Sequence, residues 1–286
     1  MRDPSVSKVA IVKGTRPPEM TVKALEMASA YETISPQKPV LIKPNYVTTD
    51  NPSTGITTDS RVIEGVVTFL RQHDVKEIVI GEGTGFGDTF GAFRAAGVDD
   101  IAKRWGVKMR DLNRDEFIEV NPPNAQALKK VRIAKTALDS TIISVPKLKP
   151  HRLAGVTLSL KNMMGAITPK ASMHVHLSQK IVDLVSAIRP SVAVIDGVIA
   201  GEGHETSGNP VEMNLVIAGT DPVAVDAVGA AVMGIPPEKV KQLRLAEERG
   251  LGTCHLERID ILGEPLENVS RRFRTSFVTK LLAELS

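Results

Sequence analysis

Short apolar runs alternate with segments of helical periodicity through the first third of this chain, and that alternation constrains the fold more than any other feature. Buried strands are predicted at residues 8–13, 40–42, 78–80 and 107–110, with helices between them. Consecutive parallel strands need a long crossover connection, which is usually a helix. The pattern therefore predicts an α/β fold in which helices cover both faces of a parallel sheet.

The second half repeats this pattern after a weaker segment, where strand arms at 117–120 and 131–133 are predicted to pair as a hairpin. We predict two α/β units, residues 1–138 and 139–286, with the boundary between 112 and 140 and mainly parallel sheets that face a central cleft. Further predicted elements are a strand at 141–145, helices at 156–164, 177–188 and 270–285, a strand at 191–195 and a glycine-rich loop at 197–210.

Composition excludes several classes of site. The single cysteine, Cys254, rules out an intrachain disulfide, a four-thiolate zinc site and a self-contained iron–sulfur cluster. Aromatic residues make up only 3% of the chain and the net charge is only +3, so we expect no nucleic-acid partner. The N-terminus lacks the apolar core of a signal peptide, and apolar runs are too short to span a bilayer. We therefore expect a cytoplasmic protein with no membrane partner.

Residues 145–176 are basic and contain no acidic residue. Such a cluster in a chain of small net charge predicts a small anionic ligand. His151 is a candidate general base, and Lys161 is a candidate anion clamp or covalent anchor. Because Lys161 lies among apolar residues, it either extends outward to solvent or is held inside beside a partner, and burial would lower its pKa.

Polar side chains also follow the predicted strands, where α/β sheets bind ligands. The loop at 81–87 has glycine at every second residue, which suits either phosphate contact or a tight turn without function. The loop at 45–59 is likewise either a ligand loop or solvated turn chemistry. Ligand-binding roles are predicted for Lys43, Asn45, Arg61, Gly83, Thr84, Gly85, Lys147, Lys149, Asn162 and Asp196.

Three further residues have chemistry that the pattern leaves open. His174 and His176 could ligate a metal, although two histidines alone are a weak signal. Asp226 lies in an almost wholly apolar helix, and a buried carboxylate needs a positive or hydrogen-bonding partner. We expect Asp226 either to orient Lys161 or a histidine, or to form a structural pair elsewhere.

Several motifs resemble domain-of-unknown-function family 362. They are K-P-N at 43–45, P-K-L-K-P-H-R-L-A-G-V-T-L-S-L-K-N-M-M-G at 146–165, I-D-G at 195–197 and T-D-P-V-A-V-D-A-V at 220–228. Some members carry a ferredoxin-like iron–sulfur module. This chain lacks the cysteines for it, so the resemblance leaves a ferredoxin-like redox partner as the expectation.

More distantly, H-x-x-A-G-x-x-x-x-x-K from His151 to Lys161 is similar to the nickel-pincer lactate racemase family. That resemblance implies a proton-transfer base at His151, a nucleotide-derived cofactor on Lys161 and nickel on His174 or His176. Two departures argue against lactate racemisation. Gly85 stands where those enzymes have a second catalytic histidine, and Leu158 and Leu160 replace small glycines and are expected to crowd a cofactor.

These observations predict a small-molecule enzyme that acts on an anionic substrate, with an isomerase-like or lyase-like site by resemblance. The cofactor stays open between a divalent metal and a nucleotide-derived group. The alternative is a non-catalytic ligand- or metal-binding accessory protein of a redox system, and a third reading is a scaffold that docks an acidic protein.

Overall fold

A computed structural model describes residues 6–206 and 209–275 of the chain. Its strands are β1 Ser7–Lys13, β2 Val40–Pro44, β3 Ile78–Glu82, β4 Lys108–Asp111, β5 Phe117–Val120, β6 Val131–Ala134, β7 Thr141–Val145, β8 Pro150–His151, β9 Gly155–Val156, β10 Ile167–Thr168, β11 Val192–Glu202, β12 Asn209–Gly219 and β13 Ile259–Gly263. Its α-helices are α1 Pro17–Met27, α2 Ser60–Gln72, α3 Thr89–Ala96, α4 Val98–Trp105, α5 Lys135–Asp139, α6 Ser159–Asn162, α7 Leu177–Ala187, α8 Pro222–Val232, α9 Lys241–Glu248 and α10 Leu266–Val269.

One eight-stranded sheet organises the molecule, in the order β13-β1-β12-β11-β7-β2-β3-β4. Strands β4, β3, β2, β7 and β11 are mutually parallel, and β12 runs antiparallel to both of its neighbours. The predicted α/β class is confirmed. The two predicted sheets are instead a single sheet, because β7 of the second unit pairs directly with β2 of the first. The division of the chain into two units stays a prediction.

Both faces of this sheet are buried, as its parallel strands require. In β1, Val9 and Ile11 belong to one apolar cluster, whereas Ala10 and Val12 belong to the other. This alternation follows from the two-residue period of a strand. Helices α1 and α2 contribute to the cluster on one face, and α7, α8 and α9 contribute to the cluster on the opposite face.

Two helix starts and one hairpin follow local sequence signals. Asp59 accepts a hydrogen bond from a backbone N–H at the start of α2, and Asp221 does the same at the start of α8. The arms β5 and β6 pair as the predicted antiparallel hairpin. This hairpin and β10 form a separate three-stranded sheet.

Three element predictions are wrong. The helix predicted at 156–164 is only α6, followed by a 3-10 turn at Met163–Ala166, and β9 occupies its first position. The strand predicted at 191–195 continues to Glu202, because β11 keeps pairing with β12 through the glycines, with an irregularity between Gly197 and Ile199. Residues 270–274 form no helix, and the rest of the helix predicted at 270–285 lies largely outside the described residues.

The start of α6 depends on a carboxylate that is distant in sequence. Helix α6 has no side-chain cap of its own, and Asp226 on α8 accepts hydrogen bonds from Ser159 N–H (2.7 Å) and Leu160 N–H (2.9 Å). Burial raises the pKa of Asp226 to about 8, against the opposing effect of these two donors. Of the two alternatives predicted for Asp226, the structure shows a structural contact, with the backbone of α6 as the partner instead of Lys161 or a histidine. The contact positions α6 against α8.

We expect Asp226→Ala to lower the free energy of unfolding by about 2–4 kcal/mol, since each buried N–H left without an acceptor costs about 1–3 kcal/mol. Chemical denaturation monitored by circular dichroism measures this change. Glu212→Ala is the control, because Glu212 is an exposed carboxylate on β12. Equal, small losses for both variants would show that the α6 N–H groups find other acceptors.

Candidate functional site

A cavity of about 420 Å³ opens at the carboxyl ends of β2, β3 and β7, where doubly wound sheets bind ligands. Segments that follow β2, β3, β7 and β11 contribute to its lining. Its lining includes Lys43, Asn45, Glu82, Gly83, Gly85, Lys149, His151, Thr157, Lys161, Asn162, Lys170, His174 and Glu205.

A buried ion pair between Lys43 and Glu82 forms the floor of the cavity. The Lys43 ammonium lies 2.7 Å from Glu82 Oε1 and also donates to Asn162 Oδ1 (3.2 Å). Glu82 additionally accepts from the backbone N–H groups of Gly83 and Tyr46. Burial lowers the pKa of Lys43, while Glu82 opposes that shift. Both charged groups are therefore already paired with each other and hydrogen-bonded to neighbouring residues.

The backbone approaches this pair so closely that a side chain would not fit. A Cβ atom on Gly165 would lie 2.1 Å from Glu82 Oε1 and 2.6 Å from Lys43 Nζ. A Cβ on Gly83 would lie 2.3 Å from the carbonyl oxygen of Gly165. Glycine is therefore required at both positions by packing rather than by a phosphate fingerprint.

Lys149 is a second buried cation beside the cavity. Its ammonium donates to the carbonyl oxygens of Ile56 (2.7 Å) and Glu205 (3.1 Å), and its side chain is 2% exposed. Burial lowers the pKa of Lys149 to about 7, and the nearby ammonium of Lys161 adds to that shift. Lys149 therefore changes charge near neutral pH.

His151 lies on the same wall in a defined orientation. The backbone N–H groups of Leu153 and Ala154 both donate to His151 Nδ1, each over 3.1 Å. An Nδ1 atom that accepts two hydrogen bonds carries no proton, so the neutral ring carries its proton on Nε2, which lies 3.5 Å from Glu205 Oε1. Burial and the neighbouring cations lower the pKa of His151 to about 2. In this form the ring is a hydrogen-bond donor.

Lys161 differs from the other buried lysines. It is half-buried on α6 and lines the cavity. Its ammonium makes no hydrogen bond or ion pair with any residue in 6–206 or 209–275. Burial lowers the pKa of Lys161 to about 8, Glu205 opposes the shift, and Lys43 adds to it. The cavity thus contains an amine that is partly neutral at mildly alkaline pH.

The cavity lining combines an excess of positive charge with polar atoms that have no hydrogen-bond partner. Four lysines and Arg152 line it, against the two carboxylates Glu82 and Glu205, and the latter is engaged by Arg152. Asn45 Oδ1 and Thr157 Oγ1 are buried lining atoms without a hydrogen-bond partner in the described part of the chain. An anion that also carries an O–H or N–H donor would satisfy both kinds of group.

The remaining predicted residues lie away from the cavity lining. Lys147 and Asp196 form a fully buried ion pair of 2.6 Å, and Asp196 also accepts from Asp59 N–H. Arg61 pairs with Asp59 instead of a ligand. Thr84 contributes no lining atom, whereas its neighbours Gly83 and Gly85 do. Asp226, as described above, holds α6.

Both predicted histidines line a groove next to the cavity, and His174 also lines the cavity. His176 precedes α7 in a left-handed conformation and lines only the groove. Both histidines are exposed. Within the described residues, three ligating side chains converge within 4.8 Å only at Glu247, Cys254 and His255, none of which lines the cavity.

Sequence reasoning assigned no ligand-binding role to several lining residues, among them Glu82, Thr157, Lys170 and Phe86. Glu82 ends a predicted strand and Lys170 lies in the acid-free basic stretch, so position and charge could have identified both. The position of Glu205 in the lining depends on the continuation of β11 to Glu202, which places the turn at 203–206 over the cavity. Phe86 is 69% exposed at the rim, and an exposed aromatic residue has no signature in sequence.

The fold and the cavity define an α/β protein with a cation-lined cavity at the carboxyl edge of its sheet. Residues 40–231 match the family described as a domain of unknown function, DUF362, and the chain belongs to that family. It is also 24% identical over 247 residues to the thylakoid-associated protein sll1697 of Synechocystis sp.. The aligned region covers 82% of this chain and 75% of the relative.

No helix among the described residues has the length and apolarity needed to cross a membrane. The cytoplasmic location stays a prediction, as do the resemblance to lactate racemases and the roles of the site residues. The crowding expected from Leu158 and Leu160 does not arise, since both side chains are buried in the apolar core instead of the cavity.

We expect Lys147→Ala to lower the free energy of unfolding by about 3–5 kcal/mol, because it leaves Asp196 as a buried charge without its partner. Lys161→Ala should change that free energy by less than about 1 kcal/mol, since no hydrogen bond is lost and a desolvated charge is removed. Urea unfolding of the two variants compares them directly. A large loss in Lys161→Ala would identify Lys161 as a structural residue.

Proposed function

We propose that the protein is a small-molecule enzyme acting on an anionic substrate, with Lys161 as its reactive group. One observation carries this proposal: Lys161 has a pKa lowered to about 8 and no hydrogen-bond partner among the described residues, yet it lines a cavity. The fully buried lysines Lys43 and Lys147 are both paired with carboxylates, whereas Lys161 is not. An amine kept without a partner suits nucleophilic use.

The reaction class that fits this amine is attack on a carbonyl. The lone pair of neutral Nζ attacks the carbonyl carbon, the carbonyl oxygen leaves as water with both amine protons, and a C=N bond joins lysine and substrate. Lys149 and Lys170 would hold the carboxylate or phosphate of the substrate. His151, with its proton on Nε2, would donate a hydrogen bond rather than act as the predicted general base.

The cavity fits the two predicted cofactors unequally. A nucleotide-derived group on Lys161 has about 420 Å³ of space and lysines nearby for its phosphate. A metal held by protein alone has no such support, because no three ligating side chains converge at the cavity within the described ranges. The organic cofactor is therefore the one that the lining could hold, and on Lys161 it would take the place of the substrate carbonyl.

Reductive trapping with glyoxylate, a small anionic aldehyde, tests the reactive lysine. With limiting glyoxylate and cyanoborohydride, peptide mass spectrometry should place the adduct on Lys161, with a yield that rises through about pH 8. Exposed lysines become neutral only near their ordinary pKa of about 10.4 and should label at higher pH.

Lys161→Arg keeps the charge but should abolish that adduct. Lys135 is the internal reference, because its pairing with Asp139 raises its pKa. Labelling that follows side-chain exposure alone, or that spares Lys161 at every pH, would overturn the proposal.

A basic groove next to the cavity favours a second candidate, an accessory protein that docks a ferredoxin-like redox partner. The groove shares Arg152, Leu153 and His174 with the cavity. It is also lined by Lys180, Lys239, Lys241 and Arg244, with Glu238 as the acidic residue among its lining. Complementary charge would steer an acidic partner to this face.

Charge reversal tests this candidate. Lys239→Glu with Lys241→Glu should weaken calorimetric binding of an acidic ferredoxin at least tenfold, and added salt should weaken it further. The control is Lys23→Glu with Lys38→Glu, since both residues are exposed and lie outside the groove. Equal affinities for the two double variants would exclude docking at the groove.

A further inference from the structure

A second group of reactive side chains lies outside the cavity lining. Glu247 is on α9, and Cys254 and His255 lie in the loop that leads to β13. One ligand atom from each lies within 4.8 Å of the other two. Cys254 is buried, whereas His255 is exposed, so the group is open to solvent on one side.

The two oxygens of Glu247 have different surroundings. Oε2 lies 2.9 Å from Cys254 Sγ and 3.3 Å from His255 Nε2. Oε1 accepts from Thr253 Oγ1 (2.8 Å) and lies 3.6 Å from Arg258. Contacts with Thr253 and Arg258 thus orient Oε1, whereas Oε2 faces the thiol of Cys254 and the imidazole of His255.

His255 is oriented in the same manner. Its Nδ1 lies 3.6 Å from Glu257 Oε1, and its Nε2 faces Glu247. Histidines that ligate metals characteristically direct their second ring nitrogen to a carboxylate, which sets the tautomer. Glu247 Oε2 therefore faces both Cys254 Sγ and His255 Nε2, while a second contact orients the side chains of Glu247 and His255.

We propose that Glu247 Oε2, Cys254 Sγ and His255 Nε2 form a binding site for Zn²⁺. One oxygen, one sulfur and one nitrogen are the donors that this ion takes, with water in a fourth, tetrahedral position. Zinc–ligand distances of about 2.0–2.3 Å place tetrahedral ligands about 3.3–3.5 Å apart. The measured separation from Oε2 to His255 Nε2 already matches, and the separation to Sγ needs about half an ångström more.

Binding exchanges a proton for the metal. Burial and Glu247 raise the pKa of Cys254 to about 12, so the thiol keeps its proton and donates it to Oε2. Zn²⁺ takes the thiolate, the thiol proton passes to solvent, and the metal replaces the hydrogen bond. The bound ion would link the end of α9 to the loop before β13.

Cobalt substitution of the full chain tests the site, because Co²⁺ bound to a thiolate shows a charge-transfer band and tetrahedral d–d bands. Titration under reducing conditions should reach one Co²⁺ per chain, and Zn²⁺ should displace it. Cys254→Ser should remove the charge-transfer band and weaken binding at least tenfold. Glu257→Gln should weaken binding severalfold with the band kept.

His255→Ala keeps the test decisive if Cys254→Ser does not fold, because His255 is exposed and its loss should also weaken binding at least tenfold. The control is His174→Ala with His176→Ala, which should bind like the unmodified chain. The proposal is overturned if no thiolate band forms, if the band survives in Cys254→Ser, or if only the control loses metal.

Discussion

The ion pair between Lys43 and Glu82 is the contact on which the arrangement at the sheet edge depends. It joins the end of β2 to the end of β3, and Asn162 brings α6 into the same network. Breaking a buried pair leaves an uncompensated charge, which is strongly destabilising. The close passage of Gly165 and Gly83 around it shows that the surrounding backbone is shaped to this pair.

Because Lys43 and Glu82 neutralise each other, the remaining charges decide what the cavity binds. Glu205 is shared between Arg152 and the ring of His151, and Lys149 is held by two carbonyl oxygens. Lys161 is left as an amine with no hydrogen bond or ion pair among the described residues, and Glu205 offsets only part of its desolvation. The stability of the rest of the fold offsets the unfavourable desolvation of the Lys161 ammonium, and such perturbed groups are characteristic of reactive sites.

The cavity and the trio of Glu247, Cys254 and His255 share no lining residue, so each can act without the other. They also differ chemically. The cavity has an excess of cations and open polar atoms, which favours anions, whereas the trio offers oxygen, sulfur and nitrogen donors, which favour a metal. The sequence singled out His174 and His176 for the metal, but both are exposed and, among the described residues, no third ligating side chain converges on them.

The sequence by itself determined the α/β class, the caps at Asp59 and Asp221, the β5–β6 hairpin and the basic stretch that supplies Lys149, His151 and Lys161 to the cavity. These features are local, since periodicity, capping and charge act over a few residues. Only the tertiary structure decided the partners of Asp226, Lys147 and Glu82, which are far apart along the chain. It also decided that β11 extends to Glu202 and that two predicted sheets are one. These outcomes depend on burial and on contacts between residues distant in sequence. The pattern of neighbouring residues does not determine burial or such contacts.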